Sequence, residues 1–262
     1  QRHREIPVLV MTARNFEAMV VANQGDNFSV GANLMMVLIA AMEGEWDELN
    51  TMIHAFQQVN MALKYAPKPV VVAPFSRTLG GGCEITLHGA RAQASAETYI
   101  GLVEVGVGVI PGGGGCKELL ARLKDPRKVF ELIGFAKVAT SAEEAKKLGL
   151  LNRTDRISMN PERLIGDAKD LALSLATDYV PGVPRTDIKV GGDSVLAMLK
   201  VGAWTAHQGG YISDHDLLIA NKLAYILSGG NLTGEHQVSE QYLLDLEREA
   251  FLSLCGHPKT MA

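Results

Sequence analysis

The chain has 262 residues, 47% of them hydrophobic, and a formal net charge of -4 from 25 basic and 29 acidic side chains. This composition excludes a wholly disordered chain, and the lack of a basic excess argues against a nucleic-acid partner. No apolar run approaches the roughly 20 residues that span a bilayer, so no membrane association is predicted.

The first third of the chain predicts a β-α-β unit. The polar start "QRHRE" is not a signal peptide and lacks an initiator Met, which predicts a fragment or a processed chain. Short β-branched runs at 18–23 and 69–74 are typical of strands buried on both faces of a sheet. Between them, "LMMVLIAAM" at 34–42 predicts a buried helix. Apolar residues spaced three and four apart from Trp46 to Leu63 predict another helix, which "YAPKP" ends.

The rest of the chain changes from mixed α/β to helical. A strand is predicted at 98–102, and a helix follows Asp125 as its N-cap. Ser141 and Glu144 predict a capping box for a helix that Gly149 ends. Beyond about residue 155, helices are predicted near 161–177, 194–203, 214–228 and 239–254.

The run "TLGGGCEITL" places three glycines, Gly80 to Gly82, directly before a predicted helix. A glycine turn at a helix start exposes backbone N–H groups to an anionic oxygen. The run lacks the Lys-Ser/Thr ending of a P-loop, and "GVGVIPGGGG" has Pro111 where a dinucleotide fingerprint requires its third glycine. An oxyanion hole is therefore the favoured interpretation.

A second turn and two carboxylates complete the predicted site. Gly31 and Ala32 in "FSVGANL" follow the first strand, and loops after adjacent parallel strands converge at one sheet edge. Glu84 follows the glycine turn, and Glu104 lies in an apolar glycine-rich loop that would raise its pKa by desolvation. From the residues alone, the alternative remains that Glu84 decorates a helix N-terminus and Glu104 is a solvated loop charge.

Three motifs carry a family resemblance. In this order and spacing, "FSVGANL", "APFSRTLGGGCEITL" and "IGLVEVGVGVIPGGGG" resemble the crotonase (enoyl-CoA hydratase/isomerase) superfamily, and the match runs from about residue 18 to 153. The segment "LLDLEREAFLSLCGHPKT" is similar to the superfamily's closing helix. The resemblance is greatest to the hydratase part of bacterial fused 3-hydroxyacyl-CoA dehydrogenase/enoyl-CoA hydratases of fatty-acid β-oxidation.

The resemblance implies a fold and a set of site residues. The fold is α/β, with a crotonase-like β-β-α spiral core over 1–155 and a helical C-terminal region over 156–262. The segment before "FSVGANL" is short by about one β-hairpin for this family, which predicts a truncated chain. Ala32 and Gly81 would donate oxyanion-hole N–H groups to an acyl-CoA thioester, and Glu84 and Glu104 would be the catalytic carboxylates.

The implied reaction adds water to a trans-2-enoyl-CoA to give a 3-hydroxyacyl-CoA. No cofactor is expected, since coenzyme A is part of the substrate; NAD would be needed only if a dehydrogenase portion were present. An acyl-CoA thioester is the expected partner, and a homo-oligomer is expected from the superfamily's trimers. The alternatives are an enoyl-CoA isomerase, which needs only the later carboxylate, and a non-catalytic acyl-CoA-binding or assembly module.

Some residues depart from the family pattern or receive no role. Asn33 and Ala90 stand where the family usually has Asp. No metal site is predicted, because the histidines His54, His88 and His215 lack a ligand partner at metal spacing. Three cysteines without metal spacing predict free thiols in a reducing compartment, and hence a cytoplasmic protein; they are Cys83, Cys116 and Cys255. Met35 and Met36 are assigned to the core, with a pliable acyl pocket as a second hypothesis.

Overall fold

The computed structural model describes residues 16–261. The strands are β1 Met19–Val21, β2 Val70–Val72, β3 Arg77–Leu79, β4 Arg91–Ser95, β5 Tyr99–Gly101, β6 Val138–Ala139, β7 Arg156–Ser158, β8 Ile188–Val190 and β9 His236–Val238. The α-helices are α1 Leu34–Met42, α2 Trp46–Lys64, α3 Gly81–His88, α4 Gly115–Leu123, α5 Pro126–Gly134, α6 Ala142–Leu148, α7 Leu164–Ala176, α8 Gly192–Gln208, α9 Asp214–Ser228, α10 Glu240–Cys255 and α11 Pro258–Met261. Two short 3-10 helices cover Glu104–Val107 and Pro161–Arg163.

The chain divides into two compact units, and each unit is assembled from three separate segments. The first unit comprises 16–32, 55–101 and 138–183, and the second comprises 33–54, 102–137 and 184–261. The predicted boundary at residue 155 is a different partition of the chain and stays a prediction. The prediction that the segment before "FSVGANL" is short by about one β-hairpin depends in part on residues 1–15, which lie outside the described residues.

The first unit contains a four-stranded parallel sheet in the order β1-β2-β4-β7. One of its two inner strands, β2, has the sequence Val70-Val71-Val72 and is buried on both faces, as the β-branched run predicts. On one face lie α2 and α3, through Val59, Leu63 and Ile85. On the other face lies α7, through four buried side chains: Leu164, Ala168, Leu171 and Ala172.

A second sheet in the same unit positions the glycine turn. It has the order β3-β5-β6, in which β3 and β5 are parallel and β6 is antiparallel. Strand β3 was not predicted from the sequence, because "RTL" is short and half-exposed and lacks alternation. It ends one residue before Gly80, so the sheet delivers the glycine turn directly from a paired strand.

The second unit is mainly helical. Helix α9 packs against α4, α5, α8 and α10, and Ile219, Leu223 and Leu227 give it a buried apolar face. The antiparallel pair β8-β9 joins Ile188 to Val238 in this unit. Helices predicted near 194–203, 214–228 and 239–254 are thus confirmed as α8, α9 and α10.

Of three predictions about individual helices, the N-cap of α5 is confirmed, and two others need correction: the capping box of α6 and the burial of α1. Asp125 caps α5 by accepting from the N–H groups of Arg127 and Lys128, as predicted. The capping box at α6 is only half formed, because the Glu144 carboxylate accepts from the Thr140 N–H, 2.7 Å away, while Ser141 accepts from the Glu144 N–H. Helix α1 forms, but the prediction that it is buried is wrong, since only Val37 and Ala41 are buried.

Candidate active site

The glycine turn of the first unit requires glycine at two positions for different reasons. Gly80 precedes α3 with φ +55°, a conformation that side chains strongly disfavour. A Cβ on Gly82 would lie 2.6 Å from Cβ of Ser29 and 3.0 Å from its carbonyl oxygen. The turn is therefore built so that α3 starts against the backbone at Ser29, and no side chain caps the helix among residues 16–261.

The Gly31–Ala32 turn lies beside this glycine turn. Ser29 pairs with β3 through its carbonyl, which accepts from the Leu79 N–H at 2.8 Å. A Cβ built on Gly81 would be 3.9 Å from Cα of Gly31, and Gly31 itself has φ +98°. The predicted approach of the two turns is thus present, and the donor roles of Ala32 and Gly81 stay a prediction.

Glu84 lies in the first turn of α3 and is buried, with only 2% of its surface exposed. Its position in the first turn of α3 is compatible with both predicted interpretations, a charge at a helix N-terminus and a catalytic carboxylate. His88 lies one turn later, also buried, with Nδ1 2.7 Å from the Glu84 carbonyl oxygen. Because a carbonyl only accepts, Nδ1 carries the hydrogen, and the His88 ring is bound to the helix backbone.

Glu104 belongs to the second unit and begins the 3-10 helix Glu104–Val107, where it is half-buried. Gly108 ends this turn with φ +85°. The Val109 N–H donates to the Glu104 carbonyl at 3.2 Å, which closes the turn around the residue that carries the carboxylate. The loop from Glu104 to α4 thus has two glycines in the left-handed conformation, Gly108 and Gly114, the latter at φ +107°.

A buried ionic cluster that no sequence pattern predicted holds the loop that follows Glu104. The Glu247 carboxylate of α10 accepts from the N–H groups of Gly114 (3.0 Å) and Lys117 (2.5 Å) at the start of α4. A carboxylate there satisfies helix N-terminal donors and complements the helix dipole. The fully buried Lys117 ammonium lies 3.0 Å from both Glu118 and Glu240.

The charge state of this cluster follows from its neighbours. Burial alone would lower the pKa of Lys117, but attraction to Glu118 and Glu240 outweighs burial and raises it above its usual value. Lys117 therefore stays charged. A lysine inside the apolar stretch "CKELLA" was the only sequence signal for this cluster, and its partner Glu240 comes more than a hundred residues later.

An apolar cavity of about 240 Å³ lies in the second unit beside the Glu104 turn. Its walls come from α1, from Val107 and Val109, and from the end of α10; the lining residues are Leu34, Met35, Val37, Leu38, Ala41, Val107, Val109, Phe251, Cys255 and Thr260. Burial raises the pKa of the Cys255 thiol to about 11, so this cysteine is a neutral wall residue at neutral pH.

The assignment of Met35 and Met36 to the core is wrong, since both are more than 60% exposed. Met35 instead lines the cavity. Asn33 caps α1 by accepting from the Met35 N–H at 3.1 Å, so an amide oxygen serves as the cap where the family usually has Asp.

Three further features concern residues 16–261. Within this range, no group of three or more His, Cys, Asp or Glu side chains could hold a metal ion. None of the helices there is long and apolar enough to cross a bilayer. The three cysteines are buried free thiols.

Known proteins match the chain at the level of sequence and fold. The family described as enoyl-CoA hydratase/isomerase matches residues 9–169. A "Probable 3-hydroxyacyl-CoA dehydrogenase" of Bacillus subtilis (strain 168) is 49% identical over 260 residues, which cover 96% of this chain and 33% of the relative. A crotonyl-CoA hydratase of Syntrophomonas wolfei is 33% identical over 159 residues, covering 60% of this chain and 56% of the relative.

The same fold occurs in solved structures. An enoyl-CoA hydratase from Rhodobacter sphaeroides 2.4.1 superposes with a TM-score of 0.70 at 18% identity, covering 99% of this chain and 79% of that one. The predicted crotonase-like α/β fold is thus confirmed. The chain spans about a third of the length of the longer curated relatives that it matches. On the family match over residues 9–169, the chain belongs to the enoyl-CoA hydratase/isomerase (crotonase) family.

Proposed function

We propose that the chain is an enoyl-CoA hydratase, which adds water to a trans-2-enoyl-CoA to give a 3-hydroxyacyl-CoA in fatty-acid β-oxidation. The observation that carries the proposal is the presence of two glutamates, Glu84 and Glu104, together with paired backbone turns at Gly31–Ala32 and Gly80–Gly82. We further propose that this chain is the hydratase portion of a larger enzyme with a dehydrogenase activity. The printed name and greater length of the Bacillus subtilis relative support that second proposal.

The thioester carbonyl would bind between the N–H groups of Ala32 and Gly81. Negative charge develops on this oxygen as water attacks the conjugated double bond, and fixed donors stabilise that charge without reorganising. The start of α3 adds the positive end of a helix dipole. Loss of one such donor would cost about 2.7–4 kcal/mol of transition-state stabilisation.

The two glutamates would divide the proton transfers of hydration. One carboxylate takes a proton from water while the water oxygen bonds to the β-carbon, and the other group gives a proton to the α-carbon. Atoms balance without any other reactant, so no cofactor is proposed beyond the coenzyme A of the substrate. NAD would serve only a dehydrogenase portion.

The acyl chain would enter the apolar cavity beside the Glu104 turn. Met35 lines this cavity and is a flexible, polarizable side chain suited to acyl groups of differing length. If so, Met35→Leu changes the relative kcat/KM for short and long enoyl-CoA thioesters. An unchanged preference would contradict this role. The homo-oligomer and the cytoplasmic location stay predictions.

The decisive experiment follows the loss of the enoyl absorbance of crotonyl-CoA on adding the protein. Glu84→Gln and Glu104→Gln keep side-chain size but remove a base, so either change should lower kcat by about a hundredfold or more. As a matched control, Glu131→Gln alters an exposed glutamate and should leave the rate unchanged.

The isomerase alternative is tested with a 3-enoyl-CoA, which gains absorbance when its double bond moves into conjugation. Isomerisation without hydration, abolished by Glu104→Gln but not by Glu84→Gln, would replace the hydratase proposal. Binding of acyl-CoA with neither reaction would favour the non-catalytic module.

A further inference from the structure

The turn that carries Glu104 is bound by the C-terminal helix α11. The Thr260 hydroxyl donates a hydrogen bond to the Gly108 carbonyl at 3.0 Å. The two residues also pack closely, since a Cβ on Gly108 would lie 3.2 Å from Cα, Cγ2 and Oγ1 of Thr260. Both residues belong to the second unit. Residue 260 therefore fixes the end of a turn that begins more than 150 positions earlier.

His215 in the first turn of α9 is the next member of this chain of hydrogen bonds. Its Nε2 lies 3.0 Å from Oγ1 of Thr260. A hydroxyl has one hydrogen, and Thr260 gives it to the Gly108 carbonyl, so Nε2 must be the donor to Thr260. The ring is thereby fixed as the tautomer with hydrogen on Nε2. The other ring nitrogen, Nδ1, is buried with no hydrogen-bond partner among residues 16–261. The His257 ring stacks on the His215 ring, with the two ring centroids 4.7 Å apart.

The peptide group between Gly108 and Val109 connects this chain to Glu104. Its carbonyl accepts from Thr260, and its N–H, which belongs to Val109, donates to the Glu104 carbonyl at 3.2 Å. Hydrogen bonds joined in series through one peptide polarise and strengthen one another. The orientation of that peptide plane therefore depends on Thr260, and the Glu104 backbone depends on the peptide.

We propose that Thr260 and His215 are positioning residues that hold the Glu104 turn in its reactive arrangement. The proposal rests on the proposed function, because it assigns Glu104 a task that needs exact placement. In this proposal the helical C-terminal region contributes to catalysis, because its helices α9 and α11 supply the two side chains that orient the turn. Neither residue contacts the reacting atoms in this proposal.

The kinetic test compares Thr260→Val, which keeps the shape and removes the hydroxyl, with Thr260→Ser, which keeps the hydroxyl. A misplaced catalytic group costs up to about a hundredfold in rate, so Thr260→Val should lower kcat by about tenfold or more with KM little changed. Thr260→Ser should restore most of that loss. The matched control is Thr205→Val, because the exposed Thr205 hydroxyl also donates to a backbone carbonyl, that of Val201 at 2.8 Å.

Two further measurements do not depend on turnover. Amide hydrogen exchange at Gly108 and Val109 should accelerate in Thr260→Val and remain slow in Thr260→Ser. Nitrogen-15 spectra of the wild type should show His215 with hydrogen on Nε2, and Thr260→Val should weaken that preference.

The outcomes separate the two proposals. A wild type that neither hydrates nor isomerises would defeat the proposed function, and the exchange and nitrogen-15 results would still decide the positioning role. Equal kcat in Thr260→Val and wild type, unchanged exchange at the turn, or an equal loss in Thr205→Val would each overturn the inference.

Discussion

At the scale of single residues, the three glycines before α3 have distinct roles. Gly80 has a positive φ, Gly82 lies against Ser29, and a Cβ on Gly81 would lie 3.3 Å from the Phe56 ring and 3.9 Å from Cα of Gly31. The sequence predicts a tight turn from three glycines in a row. It does not predict which glycine makes the close contact, because Ser29 reaches the turn only through its pairing with β3.

Gly82→Ala tests this close contact. The new Cβ would meet Cβ of Ser29 at 2.6 Å and its carbonyl oxygen at 3.0 Å, and backbone cannot move aside cheaply. We expect the free energy of unfolding to fall by about 1–3 kcal/mol, measured by urea denaturation. Gly166→Ala is the control, because a Cβ at that position in α7 would meet no atom within 4 Å among residues 16–261 other than its chain neighbours and its own helix backbone. It should raise stability by about 0.5–1 kcal/mol. A Gly82→Ala protein of wild-type stability would contradict the close contact.

His215 makes the stability of the protein sensitive to acid. Burial, then the neighbouring His257, lowers the pKa of His215 below its usual 6.5. Among the charged neighbours, Asp216 raises the pKa of His215 and Lys259 lowers it. The folded state thus binds fewer protons than the unfolded state as the pH falls through 6.5, and stability decreases over that range.

His215→Gln removes this titrating group, so its melting temperature should decline less than that of the wild type as the pH is lowered from neutral toward 5. His236→Gln is the control, since this histidine is exposed and its Nδ1 lies 3.3 Å from the Gly234 carbonyl oxygen. Parallel pH curves for wild type and His215→Gln would show that His215 is not the cause.

At the scale of elements, local signals predicted most helices and the buried strands. Asp125, Pro126 and Gly149 mark helix ends by their own chemistry, and each does so in the structure. The exposure of α1 could not be predicted, because an apolar run favours burial of a helix but does not specify which other segment packs against it. The Glu247 cap of α4 was equally hidden, since donor and acceptor lie about 130 residues apart in the chain.

Lys117→Met tests how far the ionic cluster stabilises α4. Removing the ammonium leaves the buried Glu118 and Glu240 carboxylates without their shared cation, while Glu118 keeps Arg122 at 2.9 Å. Breaking a buried ion pair typically costs about 3–5 kcal/mol, and the Arg122 contact places the expected loss toward the lower end of that range. Lys189→Met is the matched control, because Lys189 is largely exposed and lies 3.5 Å from an exposed Glu235. The urea midpoint should fall sharply for Lys117→Met and little for Lys189→Met. Similar small losses in both would show that the buried cluster contributes no more than a surface pair.

At the scale of the whole molecule, the chain passes back and forth between two compact units. Each unit takes three segments of the chain, so neither corresponds to a continuous stretch of sequence. Composition and periodicity change near residue 155, which is why a boundary there was predicted. Such signals describe local structure, whereas membership of a unit depends on contacts between distant segments.

A chain ending at residue 155 tests whether the predicted core can fold without the helical region. The cut removes β7, which pairs Ile157 with Ala94 of β4, and it removes α7, which covers one face of the parallel sheet. It also removes the segment 184–261 from the second unit. Because an uncovered apolar sheet face and an unpaired strand edge are both unfavourable in water, we expect no cooperative thermal transition by circular dichroism, while the full chain shows one. A sharp transition in the shortened chain would instead establish residues 1–155 as an independent core, as the sequence pattern alone suggests.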